Sequence, residues 1–275
     1  MFKLNNLNLP DVGFGTYKIN DFKIILSAIK NNYNYFDTAS YYKNEDVLAE
    51  ALSQNGLERG KFIIASKLWR DEMGYDNAKL AVQKSLENLK TSYIDIYFIH
   101  WPSLDDNLNI ETWRALEEFY KLGKIRALGL SNFLPHHAEP LIKNILKRFG
   151  VMPSIAQLEF HPGYTQECAL KYFNAKNILV QAWSPLGRGR IVNDNLILNL
   201  AAKYQASPQQ ICLKFALQKG VMPLVKSSSP ERMTENLNLN NFNLTQEDMW
   251  RLETLPPLGW SGEHPDRERV IVKSL

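Results

Sequence analysis

Asp37, Tyr42, Lys67 and His100 lie at or just past the ends of short β-branched or aromatic runs. Singly, each has a plain structural explanation. A loop tyrosine packs, a histidine ahead of Trp101-Pro102 holds a turn, and an Asp and a Lys pointing into an apolar space pair because unpaired buried charge is costly. Together they can do acid–base chemistry. An ammonium held against a phenol favours phenolate and lowers a tyrosine pKa from about 10, while Asp37 would keep Lys67 charged and oriented. Tyr42 is then expected to donate a proton near neutral pH, and His100 to hydrogen-bond the reacting oxygen. Such a set suits reduction of a carbonyl, with hydride reaching carbon while an acid protonates oxygen. A Schiff-base aldolase using Lys67 as an amine nucleophile is a second chemistry. A binding subunit without turnover, keeping a cofactor site as a redox sensor, is a third reading.

The elements that must position these residues follow a βα rhythm from about residue 20 to about residue 240. Candidate strands are Tyr35–Asp37, Phe62–Lys67, Tyr97–His100, Ile125–Ser131, Ile155–Glu159, Leu179–Trp183 and Pro223–Val225. An eighth is expected around Arg190–Val192 or near Pro208. Candidate helices are Phe22–Lys30, Glu45–Gln54, Asn77–Leu89, Ile110–Lys121, His137–Arg148, Glu167–Ala175 and Pro208–Leu217. Asp76, Asn109 and Ser207 are placed to cap three of them, and Gly123 and Gly150 to stop two. Strand ends recur every 26–33 residues, which matches the roughly 30 residues per unit of an α/β (β/α)8 TIM barrel. An open doubly wound sheet would carry G-x-G-x-x-G after its first strand, and none is present. The alternation around Asn5-Asn6 predicts an N-terminal β-hairpin capping the bottom of the barrel. No linker divides the chain, so residues 1–275 are expected to form a single domain.

Composition excludes several classes. Hydrophobic residues make up 45% and charged residues 22% of the 275, near soluble globular averages and far from disorder. No run approaches the roughly 18 apolar residues of a spanning helix, and the start lacks a signal-peptide core, so the expectation is a cytoplasmic protein with no membrane partner. A net charge of +3 is too mild to imply nucleic acid. Cys168 and Cys212 both fall in amphipathic helical segments, where thiols are commonly buried, and no disulfide is expected. His136-His137 could suggest a metal with His161, but no Cys or carboxylate spacing supports it, and no metal is expected.

One stretch carries its own anion signal. In Lys226-Ser227-Ser228-Ser229-Pro230-Glu231-Arg232, a lysine, hydroxyls and a helix start make an anion site, because helix N-termini offer free N–H groups. Arg232 can stack on an adenine and bond a 2′-phosphate, which predicts NADP(H) as the cofactor.

The motifs resemble those of the aldo-keto reductase family. Asp37-Thr38-Ala39-Ser40-Tyr41-Tyr42-Lys43-Asn44-Glu45 matches D-T-A-x-x-Y-x-N-E, a highly specific pattern. Ser66-Lys67-Leu68-Trp69, Ile99-His100-Trp101-Pro102 and Gly123–Phe133 follow in the family's order. The likeness runs from Gly13 to about Asp266. It implies NADPH-dependent reduction of aldehydes or ketones, with Tyr42 as general acid/base, Lys67 and Asp37 tuning it, and His100 orienting the carbonyl. By the same resemblance Ser131, Asn132 and Gln157 bind the nicotinamide carboxamide and Trp183 stacks on the ring, as in the bacterial 2,5-diketo-gluconate reductase-like members. Ser184, Leu186 and Gly187 resemble the pyrophosphate loop. Thr16 matches a further cofactor position, Lys226, Ser227, Ser228 and Arg232 match the 2′-phosphate side, and Glu235 and Asn236 lie near the adenine. Tyr17, Tyr41, Trp69, Trp101 and Trp260 match aromatic substrate positions. The loop after His100 and the C-terminal tail are short for the family, which predicts an open pocket and broad substrate tolerance. The resemblance also allows keto sugars as substrates and, since relatives of this size are often monomers, implies a monomer.

Overall fold

Asn5 takes a left-handed backbone conformation, φ 49°, which asparagine tolerates better than most residues. It turns β1 (Phe2–Leu4) into antiparallel β2 (Leu7–Leu9). Leu4 and Leu9 are buried against Tyr35, Ile96, Phe98 and Met222, so the hairpin plugs one end of a cylinder. The computed structural model describes residues 1–267.

The cylinder is a closed barrel of eight parallel strands. In chain order they are β3 (Gly13–Gly15), β4 (Tyr35–Asp37), β5 (Ile63–Leu68), β6 (Ile94–Ile99), β7 (Ile125–Ser131), β8 (Ile155–Glu159), β9 (Leu179–Trp183) and β10 (Met222–Val225), which pairs back onto β3. The eighth strand is therefore β3, ahead of the seven read from sequence, and not near Arg190 or Pro208. Ile191 is a buried loop residue, and Pro208 opens a helix behind the N-cap Ser207. Three residues, Gly-Phe-Gly, are too few to show a period. Gly13 is required by close approach, since a Cβ there would lie 2.5 Å from Leu224 and 2.7 Å from Tyr35.

Helices cover the outside: α1 (Phe22–Lys30), α2 (Glu45–Gln54), α3 (Tyr75–Asn88), α4 (Asp106–Lys121), α5 (Pro135–Lys147), α6 (Glu167–Asn174), α7 (Asn195–Tyr204), α8 (Pro208–Gln218), α9 (Pro230–Leu237) and α10 (Gln246–Glu253). Two expected caps move. Gly74 occupies the N-cap of α3, leaving Asp76 in its first turn, and Asp105 caps α4 by accepting from Asn107 N at 2.9 Å. Asn109 sits inside α4 and instead pins the preceding loop through Ser103 N and O. Phe149, at φ 54°, rather than Gly150, takes the left-handed turn after α5. Both cysteines are free thiols, Cys212 buried and Cys168 exposed.

Strand alternation places the chemistry. Tyr35, Ala65, Phe98 and Ile155 face the barrel interior, and two residues further along the same face come Asp37, Lys67, His100 and Gln157. One apolar layer thus supports one polar layer at the C-terminal mouth, the end where this fold builds its sites.

Candidate active site

Lys67 is fully buried, and its Nζ donates to Asp37 Oδ1 at 2.5 Å and to the Thr38 carbonyl at 2.8 Å. Asp37 Oδ2 accepts from Gln157 Nε2 at 2.8 Å, and Gln157 also donates to Gln181 Oε1 at 2.8 Å. Tyr42 follows β4 in a 3-10 turn, Ser40–Tyr42, with its ring centroid 5.0 Å from Lys67 Nζ and 5.6 Å from the His100 ring. The turn is held by Asn44, whose amide donates to the carbonyls of Thr16 and Ile19 while its oxygen accepts from the Thr38 hydroxyl. Buried Glu45 secures α2 by accepting from Ser66 Oγ at 2.6 Å and Asn88 Nδ2 at 3.1 Å.

Electrostatics here differ from the pairwise expectation. The Tyr42 hydroxyl is pushed well above 10, first by burial and then by the negative charge of Asp37, with Tyr17 and Glu263 adding to it. The Lys67 charge is taken up by Asp37, so it does not bring the phenol toward neutrality. Burial lowers Lys67 itself, against the pull of Asp37. His100 is held well below 6.5 by burial and by the cations Lys67 and Arg70, and its buried Nδ1 has no hydrogen-bond partner. At neutral pH the site therefore presents a neutral phenol and a neutral imidazole.

Aromatic rings wall this mouth. Tyr17, 43% exposed, lies 4.9 Å from the Tyr42 ring. Tyr41 stacks on Trp69 at 3.9 Å, Trp69 meets His100 edge-on at 4.9 Å, and Trp101 is buried beneath the guanidinium of Arg70. Trp260 lies apart from this cluster, beside Tyr164 at 6.3 Å.

The sequence profile of the aldo/keto reductase family matches residues 11–256. The chain is 38% identical to a glyoxal reductase of Bacillus subtilis (strain 168) over 95% of its length and 94% of the relative's. The chain belongs to the aldo-keto reductase family. Among solved structures, an aldo-keto reductase from a deep-sea metagenome library superposes with a TM-score of 0.90 at 29% identity, covering 98% of this chain and 99% of that one. An aldo-keto reductase of Bombyx mori in complex with NADP superposes with a TM-score of 0.83 at 31% identity, covering 92% and 91%. As an aldo-keto reductase the protein is an oxidoreductase of carbonyl groups that uses a nicotinamide cofactor.

The mouth has groups that fit such a cofactor. Ser131 pairs with Gln157 across β7 and β8, and Asn132 N donates to Gln157 O at 2.8 Å. Asn132 Oδ1 accepts from Trp183 Nε1 at 2.8 Å, which fixes the indole plane, while Gln157 keeps its amide oxygen for an incoming N–H. Thr16 seals the floor by donating to the Asp37 carbonyl. After β9, Ser184, Gly187, Arg188 and Gly189 all have positive φ, and the N–H groups of Gly187, Gly189 and Arg190 close tight turns onto the carbonyls of Ser184, Leu186 and Gly187. Gly187 admits no Cβ, which would lie 2.8 Å from Gly259 Cα. Beyond β10, Lys226, Ser228 and Arg232 are exposed, buried Ser227 bonds Ser229, and Ser229 caps α9. Glu235 is half-buried there. Asn236 is 3% exposed, so it faces inward, and on the same helix the Met233 carbonyl accepts from the Tyr33 hydroxyl at 3.1 Å.

Three residues of this region, Arg188, Glu159 and Arg70, carry no motif in the sequence. Arg188 bonds Glu263 at 3.0 Å and lies 5.7 Å from the Trp183 ring centroid. Glu159 accepts from Ser261 N at 2.8 Å and Ser261 Oγ at 2.7 Å, tying the C-terminal segment to β8. Arg70 follows Trp69 directly. A charge one residue beyond a strand-end motif was the available signal for Arg70, and strand alternation for Glu159. His136 and His137 both meet Asp266 Oδ1, at 2.9 and 2.5 Å, whereas His161 is buried beside Glu159 and Pro162.

Proposed function

We propose that this aldo-keto reductase is an NADPH-dependent reductase of aldehydes and ketones to alcohols, with Tyr42 as the proton donor. The observation that carries this is the convergence of a neutral phenol, a neutral imidazole and a buried Lys67–Asp37 pair on one aromatic-walled barrel mouth. When bound, a nicotinamide would supply the hydride that reaches the carbonyl carbon. His100 and Tyr42 receive the carbonyl oxygen between them, and the Tyr42 hydroxyl gives that oxygen its proton. A phenol pushed upward remains an adequate acid because an alkoxide is a much stronger base than a phenolate, and the same shift disfavours the reverse, oxidative direction. Lys67 and Asp37 act through Tyr42 as positioning residues. Ser131, Asn132 and Gln157 would hold the carboxamide and Trp183 the ring face.

Preference for the 2′-phosphorylated cofactor rests on Lys226, Ser228 and Arg232 at the start of α9. Aromatic walls and the short flanking loops support a broad range of small carbonyl compounds, including dicarbonyls such as the glyoxal named for the Bacillus relative and keto sugars. We place the protein in the cytoplasm as a monomer, acting on small molecules without nucleic acid or membrane partners.

The test is a carbonyl panel followed at 340 nm with NADPH and NADH in parallel, for the parent and Tyr42→Phe. Loss of roughly 100-fold or more in kcat is expected for a missing general acid. A Tyr42→Phe protein reducing an aromatic aldehyde at the parental rate would overturn the assignment.

A further inference from the structure

Arg70 opens the 3-10 turn Arg70–Glu72 immediately after Trp69. Its guanidinium carbon stands 4.9 Å from the centroid of the Trp101 ring. The turn holds two carboxylates: Asp71, next in sequence, makes no ion pair with Arg70, and Glu72 is otherwise engaged, its Oε2 accepting from Trp69 N at 2.7 Å and Ser40 Oγ at 2.5 Å. Among the described residues no carboxylate forms an ion pair with Arg70. Glu263 is the one whose charge acts on it, and that carboxylate is bonded to Arg188. Arg70 directly follows Trp69, whose ring lies 4.9 Å from that of His100, and it covers Trp101, the residue after His100, so it stands at the same mouth as the carbonyl site.

We propose that Arg70 selects carbonyl substrates that bear a carboxylate, the guanidinium taking the anionic group while the carbonyl lies at Tyr42 and His100. This rests on the reductase reading above. A guanidinium over an indole keeps its in-plane N–H fork free, and that fork matches a carboxylate bidentately, which an ammonium cannot do. The stacked Tyr41–Trp69 pair, edge-on to His100, gives the carbon skeleton between the two ends an apolar surface. The substrate class is thus aldehyde and keto acids.

The experiment compares 4-carboxybenzaldehyde with methyl 4-formylbenzoate, which differ in the charge, using the full chain, its Arg70→Met and Arg70→Lys variants and saturating NADPH. The readout is the acid-to-ester ratio of kcat/KM. That ratio should exceed one in the parent, decline as KCl is raised, fall about ten-fold or more in Arg70→Met and be partly retained in Arg70→Lys. An Arg70→Met ratio equal to the parent's overturns the proposal. A second measurement reads binding of 4-(hydroxymethyl)benzoate by calorimetry, which needs no turnover, and here too a similar weakening in Arg70→Met is expected. If the parent reduces neither aldehyde yet binds this carboxylate in an Arg70-dependent way, the reductase reading fails while the anion site stands. If both aldehydes are reduced and the ratio is indifferent to Arg70, the anion site fails while the reductase reading stands.

Discussion

Replacing Asp37 by Asn removes the carboxylate that Lys67 Nζ touches and leaves the amine, in a fully buried position, with the Thr38 carbonyl at 2.8 Å. Burial already lowers Lys67 from 10.5, and the charge and hydrogen bond of Asp37 oppose that fall, so the variant's amine must lie lower still. A base whose folded pKa is depressed binds fewer protons folded than unfolded. Its stability contribution is complete above the unfolded pKa and is lost as pH falls toward the folded one. Removing one partner of a buried pair costs about 3–5 kcal/mol. The loss also has a ceiling, because the amine can release its proton for about 1.4 kcal/mol per pH unit below its unfolded pKa, which is about 5 kcal/mol at pH 7 and about 2 at pH 9. Urea unfolding of parent and variant at both pH values should therefore show a deficit of about 3–5 kcal/mol at pH 7 that shrinks to about 2 or less at pH 9. A deficit equal at the two pH values, or larger at pH 9, would refute the claim that an uncompensated Lys67 charge is its source.

With His100 held well below 6.5 and Tyr42 well above 10, both stay neutral around neutrality, so kcat for aldehyde reduction should change less than about two-fold between pH 6.5 and 9. A titration of kcat centred inside that window would contradict it. Glu159→Gln weakens the acceptor of Ser261 N and Oγ and should cost about 1–3 kcal/mol, with faster amide exchange at residues 259–266 by mass spectrometry; unchanged exchange there would rule out Glu159 as the anchor of the C-terminal segment. Arg232→Gln should lower the NADPH-to-NADH ratio of kcat/KM about ten-fold or more, and an equal change for both cofactors would remove Arg232 from phosphate recognition.

The residues legible in the sequence are those that a strand carries. Asp37, Lys67 and His100 sit at or just past strand ends, where period-two alternation and a 30–33-residue spacing bring them to one mouth, whereas Ser131, Gln157 and Trp183, on the strands that follow, were legible only through the family likeness. The barrel strand at Gly13–Gly15 escaped because its glycines, which close packing against Leu224 and Tyr35 demands, hide any alternation. Helices α7 and α10 fell outside the simple βα count, α7 as a second helix between β9 and β10 and α10 beyond the last strand. The upward direction of the Tyr42 shift is hidden from the sequence for a related reason. A phenol beside an ammonium reads as acidic only while the pair is considered alone, and here burial and the Asp37 charge outweigh it. The C-terminal contacts were the least accessible, since Arg188–Glu263 and Glu159–Ser261 join positions 75 and 102 residues apart with no periodic signal between them. The barrel thus fixes the reacting groups through register, while the tail reaches the same mouth through individual polar bonds. Those bonds share no residue with the Lys67–Asp37 pair, so a change in one of them leaves that pair's own contacts in place.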